Sequence, residues 1–296
     1  MRAARYHKFG EPEVIQIEDV PIPEPGPGQV RVKVRAAGVN PADSKKRRGL
    51  FGNPPPQTTG AEGSGMIDSI GGEVTDFHPG DEVFGLLEGA TAEFALADPV
   101  GLAKRPEGLS SVDAAGVAVG ALTALQALFD VAKLQKGERV LIHAAAGGVG
   151  QYAVQLAHLR GAFVIGTASA HNREFVLSLG ADEIIDYRAM PFEDQIDPVD
   201  VVLDTLGGDI IERSLSVLGP TGRLVSLTTP PEDGRWLFHS MSPKAGQLEL
   251  IAAFLANGEM KPHTQQVFPL EEIVAAQRES EKGRTRGKLI VEISPD

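Results

Sequence analysis

Hydrophobic and polar positions follow two different rhythms along this chain. Up to about Val112 the apolar runs are short and bounded by Gly and Pro, at residues 14–20, 30–36, 62–74, 81–87 and 92–97. Such runs between turn formers predict β-strands and a small β-leaning domain. The segment PIPEPGPGQ, residues 21–29, is too rich in proline for a helix or a central strand. From about Asp113 longer helical patterns appear, starting with residues 114–128. Strand and helix then alternate. Strands are expected at 163–168, 184–187, 199–204 and 223–227, with helices at 172–179 and 209–218, the latter stopped by Gly219-Pro220. This alternation predicts a doubly wound parallel sheet. The tail predicts a helix at 244–256, a strand, a helix at 270–281 and a strand at 288–293.

The junction of the two rhythms carries the chemistry. Residues 138–156 read ERVLIHAAAGGVGQYAVQL. An apolar strand meets a glycine turn, and the turn opens a helix. That is the context in which a glycine motif reads as a nucleotide site. Gly147 lets the backbone approach a pyrophosphate, and Gly150 lets the helix pack tightly on the strand. The helix N-terminus offers N–H groups and the positive end of its dipole. Ala145 stands where such fingerprints carry their first glycine, so an ordinary tight turn is the other reading. Past the second strand, at residues 169–173, the chain offers Ser-Ala-His-Asn-Arg, and no carboxylate lies between Arg160 and Arg173. An acidic residue there would bind the ribose of NAD and repel a 2′-phosphate. Ser169 can donate to a 2′-phosphate and Arg173 can pair with it, so NADP(H) is expected. The alternative is that Arg173 is a solvated residue in a first helical turn.

Composition removes several classes. A formal net charge of −12 and a pI near 5.1 argue against nucleic acid or an anionic membrane as partner. No apolar run reaches the roughly 20 residues of a membrane span. MRAARYHKFGEPEV lacks the apolar core of a secretory signal, so a cytoplasmic protein is expected. There is no cysteine, which excludes disulfides, thiolate zinc sites and a cysteine nucleophile. The seven histidines form no close-spaced ligand pair and read as surface or packing residues. The tetrad KKRR at 45–48 reads as a solvated face, with Asp43 and Ser44 as caps of a short helix. A nuclear-import signal, a phosphate patch or a cationic rim that steers the cofactor are the alternatives.

Eight stretches in this order resemble the quinone oxidoreductase (zeta-crystallin-like) group, the zinc-free branch of the medium-chain dehydrogenase/reductases. They are GVNPADSKKRRG (38–49), GDEVFG (80–85), AEFALA (92–97), LIHAAAGGVGQYAVQLA (141–157), LGADEIIDY (179–187), DTLGG (204–208), FPLEE (268–272) and RGKLIV (286–291). The resemblance implies an α/β protein with a GroES-like β-rich catalytic domain at 1–115. A Rossmann NADP-binding domain at 116–238 and a return segment at 239–296 would complete it. It implies that Asn40, a catalytic residue, and Thr123 lie near the nicotinamide. Gly147, Gly148, Val149 and Gly150 would hold the pyrophosphate, and Ser169, Asn172 and Arg173 the 2′-phosphate. Tyr187 would flank the adenosine and Leu206 the cofactor, with Arg286 and Lys288 approaching from the last strand. The zinc-dependent branch has Gly-His-Glu where this chain has Gly60-Ala61-Glu62, so no metal is expected. Many quinone reductases carry tyrosines where Lys45 and Phe51 stand here, which implies a different substrate pocket. RWLFHSM at 235–241 resembles the strand that pairs two subunits in relatives, implying a homodimer. The expected activity is NADPH-dependent reduction of a small quinone. Reduction of α,β-unsaturated carbonyls and a nonenzymatic NADPH-binding role are the alternatives. The length is expected for a free-standing reductase rather than a polyketide-type domain.

Overall fold

The computed structural model describes residues 1–294. The chain opens with β1 (Arg2–Tyr6), β2 (Ile15–Asp19) and β3 (Val30–Val39). Helix α1 (Pro41–Arg47), β4 (Gln57–Thr58), β5 (Glu62–Ile70), β6 (Glu82–Leu86), β7 (Phe94–Ala97) and β8 (Leu102–Lys104) follow. Two helices come next, α2 (Ser111–Ala115) and α3 (Ala118–Leu125). The alternating stretch holds β9 (Arg139–Ile142), α4 (Gly150–Arg160), β10 (Phe163–Ala168), α5 (Arg173–Ser178) and β11 (Glu183–Asp186). It continues with β12 (Val199–Asp204), α6 (Asp209–Leu215), β13 (Leu218–Ser226) and β14 (Leu237–Phe238). The chain ends through α7 (Gln247–Ala256), β15 (Thr264–Pro269), α8 (Ile273–Glu281) and β16 (Lys288–Glu292). It divides into two compact units, Met1–Val119 with Pro243–Asp296, and Gly120–Ser242.

The first unit is β-rich. β3 is its centre, because its side chains alternate at period two and Val30, Val32 and Val34 all point inward. They pack with Ile67, Val83 and Leu102. β5 pairs with β3 antiparallel on one side. On the other side β16 places Ile290 opposite Gly38 and Leu289 opposite Val39. The last strand therefore closes a sheet that the third began. β1, β2 and β4 make a separate three-stranded antiparallel sheet.

The second unit holds a six-stranded sheet in the order β11-β10-β9-β12-β13-β14, parallel throughout. Counted along the unit, that is the 3-2-1-4-5-6 order of the doubly wound fold. Val140, Leu141 and Ile142 have no exposed surface, as expected for a strand covered on both faces. The order reverses between β9 and β12. Ligands of such sheets bind beyond the carboxyl ends of the strands at that point.

Several expectations are corrected. The single helix at 114–128 is α2 and α3 broken at Gly116, followed by a π-helical turn at Gln126–Val131. A Cβ on Gly116 would stand 2.9 Å from Ile290 Cδ1 and 3.0 Å from Lys288 Cβ, so close packing on β16 sets the break. The helix expected to reach Leu218 ends at Leu215, and β13 runs straight through Gly219-Pro220. The basic tetrad is not a solvated face throughout. Lys45 and Arg48 are exposed, but Arg47 is fully buried. Its Nε donates to Gln277 Oε1 at 2.8 Å, and its other nitrogens bond Gly10 O and Glu281 Oε1. Asn40, not Asp43 or Ser44, is the cap of α1; Asp43 is the third helical residue and accepts the Asn40 N–H at 2.8 Å.

Candidate functional site

In the second unit, residues 143–149 join β9 to α4. Ala144 adopts φ +48°, the left-handed region that favours glycine. Its carbonyl accepts the Gly147 N–H at 2.8 Å and closes the turn. A Cβ on Gly150 would lie 2.3 Å from Ala144 O and 2.7 Å from Ala145 Cα. Glycine is therefore required for α4 to start against the turn. A Cβ on Gly147 would meet only Ala144 O, at 3.2 Å, so the rest of its surroundings is open space. Gly148 and Val149 complete the turn at the positive end of the α4 dipole. This glycine cradle ahead of a helix fits a dinucleotide diphosphate.

The neighbouring strands end in the other expected residues. Ser169 follows β10, Asn172 caps α5 and Arg173 begins it, and Arg173 is exposed with Nη1 donating to Ile184 O at 3.2 Å. Tyr187 follows β11 at 52% exposure, and Leu206 follows β12 at 53%. Asp204 shapes the Leu206 loop. Its Oδ1 accepts the N–H groups of Leu206 and Gly207, both at 2.9 Å, and its Oδ2 accepts the Ser226 hydroxyl at 2.7 Å. Thr123 lies half-buried on α3.

Asn40 and Lys288 sit together in the first unit, in a buried ionic cluster. Glu62, with no exposed surface, takes Lys288 Nζ at 2.7 Å and Asn40 Nδ2 at 2.9 Å on Oε1, and the Val119 N–H at 2.7 Å on Oε2. Lys288 Nζ also reaches Asn40 Oδ1 at 2.6 Å and Val39 O at 3.2 Å, so its three hydrogens are all taken. A Cβ on Gly38 would stand 2.5 Å from Glu62 Oε1, so glycine makes the room for this carboxylate. The cluster fixes the orientation of the Asn40 amide. Arg286 lies just ahead of β16, its N–H donating to Gln265 Oε1 at 2.6 Å.

Beside the cluster, burial pushes the Asp43 carboxyl up to about 6, against the pull of the Asn40 N–H and of Lys288. A raised folded value means that stability is lost as pH rises from about 3.8 to about 6. Asp43→Asn keeps the acceptor and removes the charge. Its stability relative to the parent should therefore rise by up to about 3 kcal/mol between pH 4 and 7, read by urea unfolding. A pH-independent difference would show that ionisation of Asp43 costs the fold nothing.

Sequence reasoning met Glu62 only within Gly60-Ala61-Glu62, gave Asp204 no role beyond its place in DTLGG, and read His143 as an ordinary surface or packing residue. The only signal for Asp204 was its place one residue ahead of Thr205-Leu206-Gly207-Gly208. Among the described residues no group of three or more His, Cys, Asp and Glu is arranged to hold a metal ion, and no helix is long and apolar enough to cross a membrane.

Comparison with known proteins agrees with this architecture. The alcohol dehydrogenase GroES-like domain matches residues 26–107, and the zinc-binding dehydrogenase family matches residues 179–291. The quinone oxidoreductase of Mus musculus is 34% identical over 98% of this chain and 97% of its own. The structure of the quinone oxidoreductase from Coxiella burnetii superposes with a TM-score of 0.92, at 33% identity over 99% of both chains. CurK enoyl reductase gives 0.89 at 31% identity over 98% of both chains. A mycobacterial protein solved with NADPH gives 0.89 at 28% identity over 99% of this chain and 100% of its own. A GroES-like unit joined to a doubly wound unit defines a nicotinamide-dependent medium-chain dehydrogenase/reductase. Within that class the chain belongs to the quinone oxidoreductase family.

Proposed function

We propose that this protein is an NADPH-dependent reductase of small quinones that works without a metal. The observation that carries the cofactor choice is the donor set after β10, where Ser169, Asn172 and Arg173 follow a stretch with no carboxylate between Arg160 and Arg173. The mycobacterial relative bound to NADPH supports it. The chemistry such a nucleotide supplies when bound is a hydride from C4 of its nicotinamide. The chain's own part is to hold and orient. The Gly147–Gly150 turn takes the diphosphate, Arg173 and Ser169 the 2′-phosphate, Tyr187 the adenosine side, and Leu206 and Thr123 the cofactor beyond it. Lys288 and Glu62 hold Asn40, which leaves one hydrogen on its Nδ2 to meet charge developing on a carbonyl oxygen. A zinc ion does not fit these donors. There is no thiolate, and both Glu62 oxygens are engaged by Lys288, Asn40 and Val119.

Oxidation of NADPH, followed by its absorbance with a quinone and a metal chelator present, tests the proposal. Chelator-resistant turnover is expected; loss of turnover on chelation would overturn the metal-free reading. For the cofactor, Arg173→Ala should weaken NADPH binding by about 10- to 100-fold, the worth of one charge-assisted bond, and leave NADH unchanged. An unchanged preference for NADPH would remove Arg173 from the role.

A second reading, reduction of the C=C bond of α,β-unsaturated carbonyls, is favoured by the likeness to an enoyl reductase. Relative kcat/KM on quinones and enones decides between them. Assembly is proposed through β14, the edge strand of the six-stranded sheet, whose Leu237 and Phe238 are each 41% exposed. A second copy adding there makes a homodimer, and a monomeric elution volume in gel filtration would rule it out.

A further inference from the structure

His143 belongs to no part of the chemistry above, yet it ties together three of the segments that carry proposed nucleotide contacts. It follows β9 directly, precedes the left-handed Ala144 and is 1% exposed. Its N–H donates to Leu203 O at 3.1 Å, and its carbonyl accepts the Thr205 hydroxyl at 3.1 Å. The main chain is thereby stitched to β12 and to the loop that bears Leu206. The ring packs edge-on against Phe192, with centroids 4.7 Å apart. Nδ1 lies 3.3 Å from Thr167 Oγ1 on β10, and Nε2 lies 2.8 Å from Ser214 Oγ on α6.

One arrangement of the hydrogens satisfies all of these atoms at once. Thr167 Oγ1 already accepts the Ala144 N–H at 3.2 Å. A hydroxyl has one hydrogen of its own, and the remaining near partner of this one is His143 Nδ1. In that arrangement Nδ1 accepts the Thr167 hydroxyl and the ring proton sits on Nε2, donated to Ser214. The relay runs His143 Nδ1, Thr167 hydroxyl, Ala144 N–H. It ends on the residue whose conformation is the costly one in the turn. Burial holds the ring well below its ordinary value, at about 4, so it stays neutral, although Asp204 pulls the other way.

We propose that His143, as the Nε2–H tautomer, is a positioning residue that holds the Ala144 turn through Thr167 and so sets the approach of Gly147 to the cofactor's diphosphate. The proposal rests on the dinucleotide reading of that turn. Thr167→Val removes the relay at nearly constant volume and leaves the ring in place, whereas Thr167→Ser keeps the hydroxyl. His143→Phe keeps the packing on Phe192, whereas His143→Asn keeps an acceptor near the Nδ1 position. NADPH titration should show Kd raised about tenfold or more in Thr167→Val and His143→Phe, and close to the parent in Thr167→Ser and His143→Asn. KM for NADPH should rise more than kcat falls. Long-range 1H–15N NMR of the parent protein should show a proton on Nε2 and none on Nδ1. Parent-like binding by a folded Thr167→Val protein, or an Nδ1–H tautomer, overturns the proposal. The NMR signature decides it even where a variant does not fold. A parent protein that binds neither NADPH nor NADH would instead remove the dinucleotide reading, and this proposal with it.

Discussion

Lys288→Met should cost the first unit about 3–5 kcal/mol of stability, the usual result of stripping one partner from a buried ion pair. Glu62, which has no exposed surface, would be left with only the Asn40 amide and the Val119 N–H to face it. The pair itself is not worth that much. Two charges brought out of water lose hydration that their attraction only partly returns, so removing both should cost far less than removing one. Urea unfolding of Lys288→Met, Glu62→Gln and the double variant closes a cycle that isolates the coupling. Most of the loss should return in the double variant. A Lys288→Met protein within about 1 kcal/mol of the parent would mean that the fold does not depend on Lys288 to compensate Glu62. Turnover should fall in the same variant, because the Asn40 Oδ1 atom loses the ammonium that orients it.

Gly150→Ala should lose both stability and cofactor affinity. The added Cβ meets Ala144 O at 2.3 Å and Ala145 C at 2.8 Å. These are backbone atoms of one turn, so no rotamer relieves the clash. Either α4 retreats from the turn or the turn opens, and both spoil the diphosphate cradle. A lower Tm and at least about a 100-fold loss of NADPH affinity are expected. Gly147→Ala separates the two effects. Its Cβ has a single neighbour, Ala144 O at 3.2 Å, so the apoprotein should melt near the parent temperature. Its methyl group enters the open space where the diphosphate is proposed to lie, so affinity should still fall. Equal affinities for Gly147→Ala and the parent would place the diphosphate elsewhere.

What could be read in the sequence is what short range decides. The β9–α4 turn announces itself because strand, glycines and helix are contiguous, and the doubly wound sheet follows from the alternation behind it. Arg47 was misread because its burial depends on Gln277 and Glu281, which arrive more than two hundred residues later on α8. The Glu62–Lys288 pair spans 226 positions, and although RGKLIV pointed to Lys288, no local pattern joins it to Glu62. The break at Gly116 looked like continuing helix because the side chains that force it, Ile290 and Lys288, belong to the last strand. β1 escaped notice for a related reason. RAARY has only five residues and no apolar alternation, and its strand is set by partners at Ile15–Asp19 and Gln57–Thr58.

The pairing of β16 with β3 bears on how the chain is made. During synthesis the second unit is complete in sequence once Ser242 has left the ribosome, and it can fold then. The first unit, although its strands emerge earliest, must wait for the C-terminal residues that close its sheet. Until then β3 presents a bare edge along Ala36–Val39, with Gly38 uncovered and Glu62 without its counter-ion. The usual order, in which the N-terminal domain folds first, is inverted, and the nascent first unit is where a chaperone would have something to hold.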